Sequence, residues 1–366
     1  MQRVDSGVLK GFLDAFMNLT DLRPNYTGER CLVEKNAVGG CDKCMQACPH
    51  DAVRIDGRVT ILEEACTGCG LCVQVCPSGA LEYDLLANLG TLKTQGTTSA
   101  SSAERVPANL KCSKVPGDGA TLECLGRVTP AMLLASAAWG QRLTLARSDC
   151  ATCKLGGASV PAAIENVVQI AQAYREHLAA PPLEVSVVQY GVPENTVRYG
   201  ALDQHDANLE PVVTTPTPLP AASVSRRDAM QAMLRNSRGG VARVIPDKLI
   251  PGVDTKVEAQ QIPDEWVWRK KALRPTPQPD APQYWPAPVV DDNCIFCPVC
   301  TNVCPTSAIT RDRQSDGTYK LTLEVGACTG CNACVLSCPP DAMSLEAKTP
   351  YSSLSETVLL LEGGGF

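Results

Sequence analysis

Aromatic side chains make up only 4% of this 366-residue chain, which is thin material for a conventional core. Basic charge is not in excess either. The formal net charge is −6 and the isoelectric point about 5.3, which argues against nucleic acid as a partner, because polyanion binding takes a basic surface. No apolar run approaches the ~20 residues that a membrane-crossing helix needs, so no direct membrane span is expected. The start, Met1 to Thr20, lacks the charged opening, apolar core and cleavage site of an export leader. No G-x-G-x-x-G or Walker loop occurs, which removes the usual nicotinamide, flavin and nucleotide sites. There is no C-x-x-C-H haem attachment and no C-x3-C-x2-C radical-SAM motif. Histidine is scarce. His177 falls at a helix end and reads as structural, His205 is isolated, and His50, next to Cys48-Pro49, is expected on the surface.

Cysteine is abundant, at 20 residues. Sixteen of these 20 lie in two blocks near the two ends, grouped in C-x-x-C clusters. Cysteines so closely spaced bridge each other poorly but converge well on a metal centre. Metal-binding thiolates also favour a reducing compartment such as the cytoplasm, with any membrane association made through a partner.

The length allows two or three domains. The expected organisation is an amphipathic helix at 1–24, a first cysteine domain at 25–90, a linker at 91–107, a central domain at 108–200, a Pro-rich linker at 201–290, a second cysteine domain at 291–346 and a tail at 347–366. In the first helix Val8, Phe12 and Phe16 form one ridge and Leu9, Leu13 and Met17 the next, a core-packing face. The central segment alternates strand and helix. Strands are expected at Thr121–Leu125, Arg142–Ala146 and Leu183–Gln189. A helix starts at Thr129-Pro130 and stops at Gly140, and a longer one runs from Pro161 to Leu178. Ser225 and Asp228 form a capping box on a short basic helix. Residues 245–290 carry nine prolines together with Trp266, Trp268 and Trp285, and should run extended over a folded surface.

The C-terminal block reads Cys294-x2-Cys297-x2-Cys300-x3-Cys304-Pro305, then Cys328-x2-Cys331-x2-Cys334-x3-Cys338-Pro339. Three cysteines two residues apart wrap one cubane, and the fourth reaches the other one. The expected ligand sets are therefore Cys294, Cys297, Cys300 and Cys338, and Cys328, Cys331, Cys334 and Cys304. The N-terminal block has the complete run Cys66-x2-Cys69-x2-Cys72-x3-Cys76-Pro77, but its partner is only Cys41-x2-Cys44-x3-Cys48-Pro49. Val38 stands where the first cysteine belongs, and Cys31 lies seven residues upstream. An enlarged loop in which Cys31 supplies the missing thiolate gives the sets Cys31, Cys41, Cys44 and Cys76, and Cys66, Cys69, Cys72 and Cys48. A three-cysteine [3Fe–4S] site with Cys31 free, or a ligand from outside, remains open.

Both blocks resemble the bacterial-type ferredoxin family with two [4Fe–4S] clusters. The resemblance covers about 110 residues and implies a βαββαβ fold and four [4Fe–4S] clusters in all. The fold class expected is α+β, with two ferredoxin-like domains flanking a small α/β domain and joined by Pro/Ser-rich linkers.

Four cysteines remain: Cys112, Cys124, Cys150 and Cys153. Cys124, Cys150 and Cys153 should sit at the C-terminal ends of adjacent strands, where α/β sheets build sites. Four thiolates there suit a [2Fe–2S] cluster or zinc, with a further [4Fe–4S] cluster or redox-active thiols as alternatives. The segment around Cys124, Gly126, Arg127, Cys150 and Cys153 resembles the delta subunit of methyl-viologen-reducing hydrogenases. That implies a [2Fe–2S] centre and a hydrogenase or dehydrogenase partner. Ser148-Asp149-Cys150 departs from that family's Gly-Cys-His pattern.

The function expected is an electron-transfer protein or subunit relaying single electrons between a redox enzyme and an acceptor, without a substrate site of its own. The near-identity of the two end blocks suggests that electrons enter at one and leave at the other. The alternative is an oxidoreductase using Cys150 and Cys153 as a dithiol on a disulfide or sulfur substrate; a redox sensor is a third reading. Because the cysteine blocks are short and poor in aromatics, their folding should depend on metal. Anaerobic removal of iron is expected to abolish ordered structure in both blocks, seen as protease sensitivity at 25–84 and 291–346; persistent protection of both would contradict this.

Overall fold

The computed structural model describes residues 22–96, 105–176, 178, 183–199, 262–273 and 279–364. The N-terminal ridges up to Thr20, the Ser225 capping box, His177 and His205 lie outside the described residues.

The first cysteine block runs β1 (Asn25–Tyr26), α1 (Lys43–Gln46), β2 (Val53–Ile55), β3 (Val59–Ile61), α2 (Leu71–Gln74) and β4 (Leu81–Glu82). This is the βαββαβ order. β1 pairs antiparallel with β4, and β2 with β3. Each helix is a single turn, too short to persist alone, and each carries one buried thiol, Cys44 or Cys72.

The linker expected at 91–107 is shorter than its composition suggests. Helix α3 spans Leu85–Lys93; Asp84 caps it by accepting from Ala87 N, and Leu85, Leu89 and Leu92 are buried. Strand β5 (Val106–Cys112) already begins before residue 108. Small polar residues masked an apolar i, i+4, i+7 spacing on one side and an alternating strand on the other.

The central domain has a five-stranded sheet in the order β6-β5-β7-β8-β9. The strands are β5, β6 (Ala120–Leu122), β7 (Gln141–Arg147), β8 (Val185–Gln189) and β9 (Val192–Tyr199). The first four in that order are parallel and β9 is antiparallel to β8. Helix α4 (Pro130–Ala138) starts with Pro130 in its first turn, and α5 (Val160–Arg175) buries Ile164, Val167, Val168, Ala171 and Tyr174. The strands leading to Cys124 and to Cys150 are not adjacent, as the sequence suggested. β5 lies between them and ends at Cys112, so all the central thiols still gather at one end of the sheet.

Residues 262–290 are not a simple extended linker. Helix α6 (Asp264–Ala272) packs on α4, and β10 (Pro282–Val290) is a strand of the second cysteine block. Its prolines are tolerated because β10 pairs with β13 (Met343–Pro350) alone, and a register shift between Tyr284 and Ala287 takes Trp285 and Pro286 out of the ladder. Trp285 is 1% exposed and donates to Val325 O at 2.8 Å. Trp266 is buried, and Trp268 meets Trp139 edge-on at 6.3 Å. Tyr174 of α5 packs edge-on against Tyr284 and Trp285 at 5.1 and 5.8 Å. Glu265 accepts from Ala131 N at the start of α4 and pairs with Arg269, both at 2.9 Å. This segment straps the central domain to the C-terminal block.

That block continues with α7 (Val299–Val303), β11 (Ile309–Arg313), β12 (Thr318–Glu324), α8 (Ala333–Leu336) and β13. The residues expected as a tail from 347 complete β13 and form β14 (Thr357–Gly364), a third strand on β12. Its apolar run Val358–Leu361 fits a strand edge, which the cysteine motif does not announce.

Trp285→Ala should cost about 3–5 kcal/mol through the cavity it leaves. Anaerobic guanidinium unfolding should show a lowered midpoint, whereas Leu359→Ala, at a 55% exposed position, should leave it unchanged.

Candidate metal centres

The cysteines gather into sets of four around separate small cavities. Cys31, Cys41, Cys44 and Cys76 line one of about 330 Å³. Cys48, Cys66, Cys69 and Cys72 line one of about 320 Å³. Cys304, Cys328, Cys331 and Cys334 line another of about 330 Å³. Cys300 and Cys338 both lie within electrostatic reach of Cys294 and Cys297. In each block the fourth thiol of one run has crossed to the other run's set. The crossing follows from the chain path, since Pro49, Pro77, Pro305 and Pro339 each follow a fourth cysteine.

Cys31 is 6% exposed and stands with Cys41, Cys44 and Cys76. A one-turn 3-10 helix, Gly28–Arg30, leads into it, and Arg30 is fixed by hydrogen bonds to Thr27 Oγ1 and Glu82. Val38 is 38% exposed and is not directed into the set.

The central four also meet. Cys112, Cys124, Cys150 and Cys153 line a cavity of about 280 Å³ with Leu155 and Gly156. Cys112 ends β5, Cys124 follows β6, and Cys150 and Cys153 sit on the loop after β7. Asp149 shapes that loop, accepting from Ala151 N at 3.1 Å and Thr152 Oγ1 at 2.8 Å. Asp149 thus does the work of shaping a turn just before the paired cysteines.

The chemistry of these sets fits metal-bound thiolates. Burial, and then the neighbouring cysteines, push the thiols of Cys44 and Cys300 up to about 12. Cys331 rises to about 11 by burial and by Cys304. Burial likewise lifts Cys124 to about 12, against the pull of the Gly126 N–H. Four crowded thiols cannot all ionise in such surroundings unless a cationic core replaces their protons. Backbone N–H groups already point at several sulfurs. Gly126 N donates to Cys124 Sγ at 3.4 Å, Leu155 N to Cys153 Sγ at 3.5 Å, and Phe296 N to Cys294 Sγ at 3.4 Å. The central site and the C-terminal block therefore share one local device, an N–H two residues after the ligand-type cysteine.

His50 is not on the surface as expected. It is half-buried, and its Nε2 donates to Leu155 O at 2.6 Å; Thr67 Oγ1 donates to the same oxygen at 2.6 Å. Both residues belong to the first cysteine block, and Leu155 to the central loop. No motif marks this contact, which joins positions 105 apart in sequence.

Residues 31–83 and residues 293–342 each match the family described as a 4Fe-4S dicluster domain. Both ends are 4Fe-4S dicluster domains. Such domains imply iron–sulfur electron transfer. No curated protein and no solved structure matched the chain. The matches stop short of the central segment, so the dicluster domains bracket it without describing it. Among the described residues no helix is long and apolar enough to cross a membrane.

Cys31→Ser in the first dicluster domain should lower the iron of its set from about four atoms to about three and produce an oxidised [3Fe–4S] EPR signal. An unchanged iron content and spectrum would mean that Cys31 is not a ligand.

Proposed function

We propose that this chain is a multi-centre electron-transfer protein that relays single electrons between a redox enzyme, such as a hydrogenase or dehydrogenase, and an acceptor. Four [4Fe–4S] clusters would be held by Cys31, Cys41, Cys44 and Cys76; by Cys48, Cys66, Cys69 and Cys72; by Cys294, Cys297, Cys300 and Cys338; and by Cys304, Cys328, Cys331 and Cys334. A fifth centre would be held by Cys112, Cys124, Cys150 and Cys153. Each such cluster accepts or gives up one electron. The chain's own part is to exclude water, hold the thiolates, and aim backbone N–H groups at the sulfurs, which favours the more negative, reduced state.

The observation that carries this reading is the arrangement of all 20 cysteines into sets of four. For the central set a [2Fe–2S] centre is the better fit. Its four thiols, Cys112, Cys124, Cys150 and Cys153, line one cavity at the end of the sheet. The resemblance to the hydrogenase delta subunit supports this reading. The dithiol reading is weaker. A reactive thiol needs a lowered pKa, whereas burial raises that of Cys150 even beside Arg147. A reducing compartment such as the cytoplasm suits a chain with this many metal-binding thiols.

Anaerobic iron, sulfide and zinc analysis, with EPR before and after dithionite, tests the proposal. About 18 iron atoms with an added [2Fe–2S] signal is the expected result. About 16 iron atoms with one zinc would make the central site structural. About 16 iron atoms alone would bring the Cys150–Cys153 dithiol forward.

A further inference from the structure

The two dicluster domains touch through the very loop that breaks the cysteine motif. Leu32 and Ala37, between Cys31 and Cys41, are buried against Val303 and Ala333 of the C-terminal domain. Cys41 and Cys331 belong to this same small apolar cluster, so a thiol of each domain lies at the contact. Val38 N donates to Ser337 Oγ at 2.9 Å across 299 positions of sequence. The loop between Cys31 and Cys41 supplies both the apolar surface, through Leu32 and Ala37, and the hydrogen bond, through the N–H of Val38.

The other side of the N-terminal domain is joined just as closely to the central site. Gly126 lies so near the carbonyl oxygen of Cys69 that a Cβ there would collide with it. A Cβ on Gly156 would stand 3.0 Å from Cys124 Sγ and 3.5 Å from Cys69 Cβ, so Gly156 is wedged between the two sets. Arg127 Nε donates to Gly68 O at 2.6 Å, and His50 and Thr67 hold Leu155. Cys124 and Cys69 are within electrostatic reach of each other. Within each dicluster domain the sets are neighbours as well, because α1 with Cys44 packs on α2 with Cys72, and α7 with Cys300 packs on α8 with Cys334.

We infer that the Cys31–Cys41 loop is an intramolecular joint that puts the five thiol sets in single file, in an order different from that of the sequence. The file runs from Cys112, Cys124, Cys150 and Cys153 to Cys48, Cys66, Cys69 and Cys72. It continues through Cys31, Cys41, Cys44 and Cys76 to Cys304, Cys328, Cys331 and Cys334, and ends at Cys294, Cys297, Cys300 and Cys338. The N-terminal domain is thus the middle of the path, and the terminal stations are the central site and the Cys294 set. This revises the expectation that electrons enter at one end block and leave at the other. The partners are one-electron donors and acceptors, one docking at each terminal station. Every step moves a single electron between neighbouring sets, oxidising one and reducing the next, with no bond made or broken in the chain.

The inference rests on the iron–sulfur reading of the sets, and the test separates the two. Wild-type protein is reduced anaerobically and examined by EPR for spin–spin interaction between clusters, with iron measured on the same sample. Single Cys→Ser variants at Cys31 and Cys331 assign which signals lie at the joint. The expected result is an interaction between the Cys31 and Cys331 sets, and its loss in Ala37→Glu at unchanged iron content. Ser337→Ala, which removes only the hydrogen bond, should weaken the interaction less. If the wild type carries its full iron but shows no interaction between those two sets, the joint is overturned while the electron-transfer reading stands. An Ala37→Glu protein with full iron and the wild-type interaction would overturn it equally. A wild type without iron–sulfur centres would sink both. Should Ala37→Glu fail to load iron, the wild-type measurement decides alone.

Discussion

Crowded, buried thiols are the constraint on which the rest of the structure depends. Burial, and then the neighbouring cysteines, raise the thiols of Cys44, Cys300 and Cys331, so these groups resist ionising on their own. Only replacement of the protons by a cationic core turns the set from a repulsive cluster into a bound centre. Metal loading and folding are therefore expected to be coupled at these sites. The one-turn helices α1, α2 and α8 make sense in this light. They are too short to be stable by themselves, and each presents one thiol to a shared centre.

The central domain works differently. Its sheet and the helices α4 and α5 bury a continuous apolar core, to which Cys112, Cys124 and Cys150 add at one end. Several of its few aromatic residues pack where it meets the 262–290 segment. Tyr174, Tyr284 and Trp285 form one edge-to-face group there, and Trp139 and Trp268 another. Gln283 Nε2, buried, donates to Tyr174 O at 2.6 Å and fixes the register of the contact. The core so built is a rigid platform, which keeps Cys112, Cys124 and the Cys150–Cys153 loop at one end of the sheet.

Cysteine spacing made the dicluster domains and the crossed grouping of thiols legible before any coordinates, because ligand geometry acts over a few residues. The candidate role of Cys31 was legible for the same reason, as a gap in a strict pattern. The central helices could be read from Thr129-Pro130 and from the apolar period of α5. What stayed hidden was non-local. β5 between the strands of Cys124 and Cys150, the reach of His50 to Leu155, and the packing of Leu32 and Ala37 on Val303 and Ala333 join residues that no motif connects. Composition misled in two places: prolines concealed an edge strand at 282–290, and a short polar stretch concealed the ends of α3 and β5.

The hydrogen bond from Val38 to Ser337 also has a consequence for biosynthesis. The loop between Cys31 and Cys41 leaves the ribosome long before its apolar counterpart at Val303, Ala333 and Ser337 exists. During that interval Leu32 and Ala37 lack the apolar partners they have in the folded chain. The N-terminal domain therefore carries an uncovered apolar loop until translation is nearly finished, which makes the order of synthesis part of how the molecule is assembled.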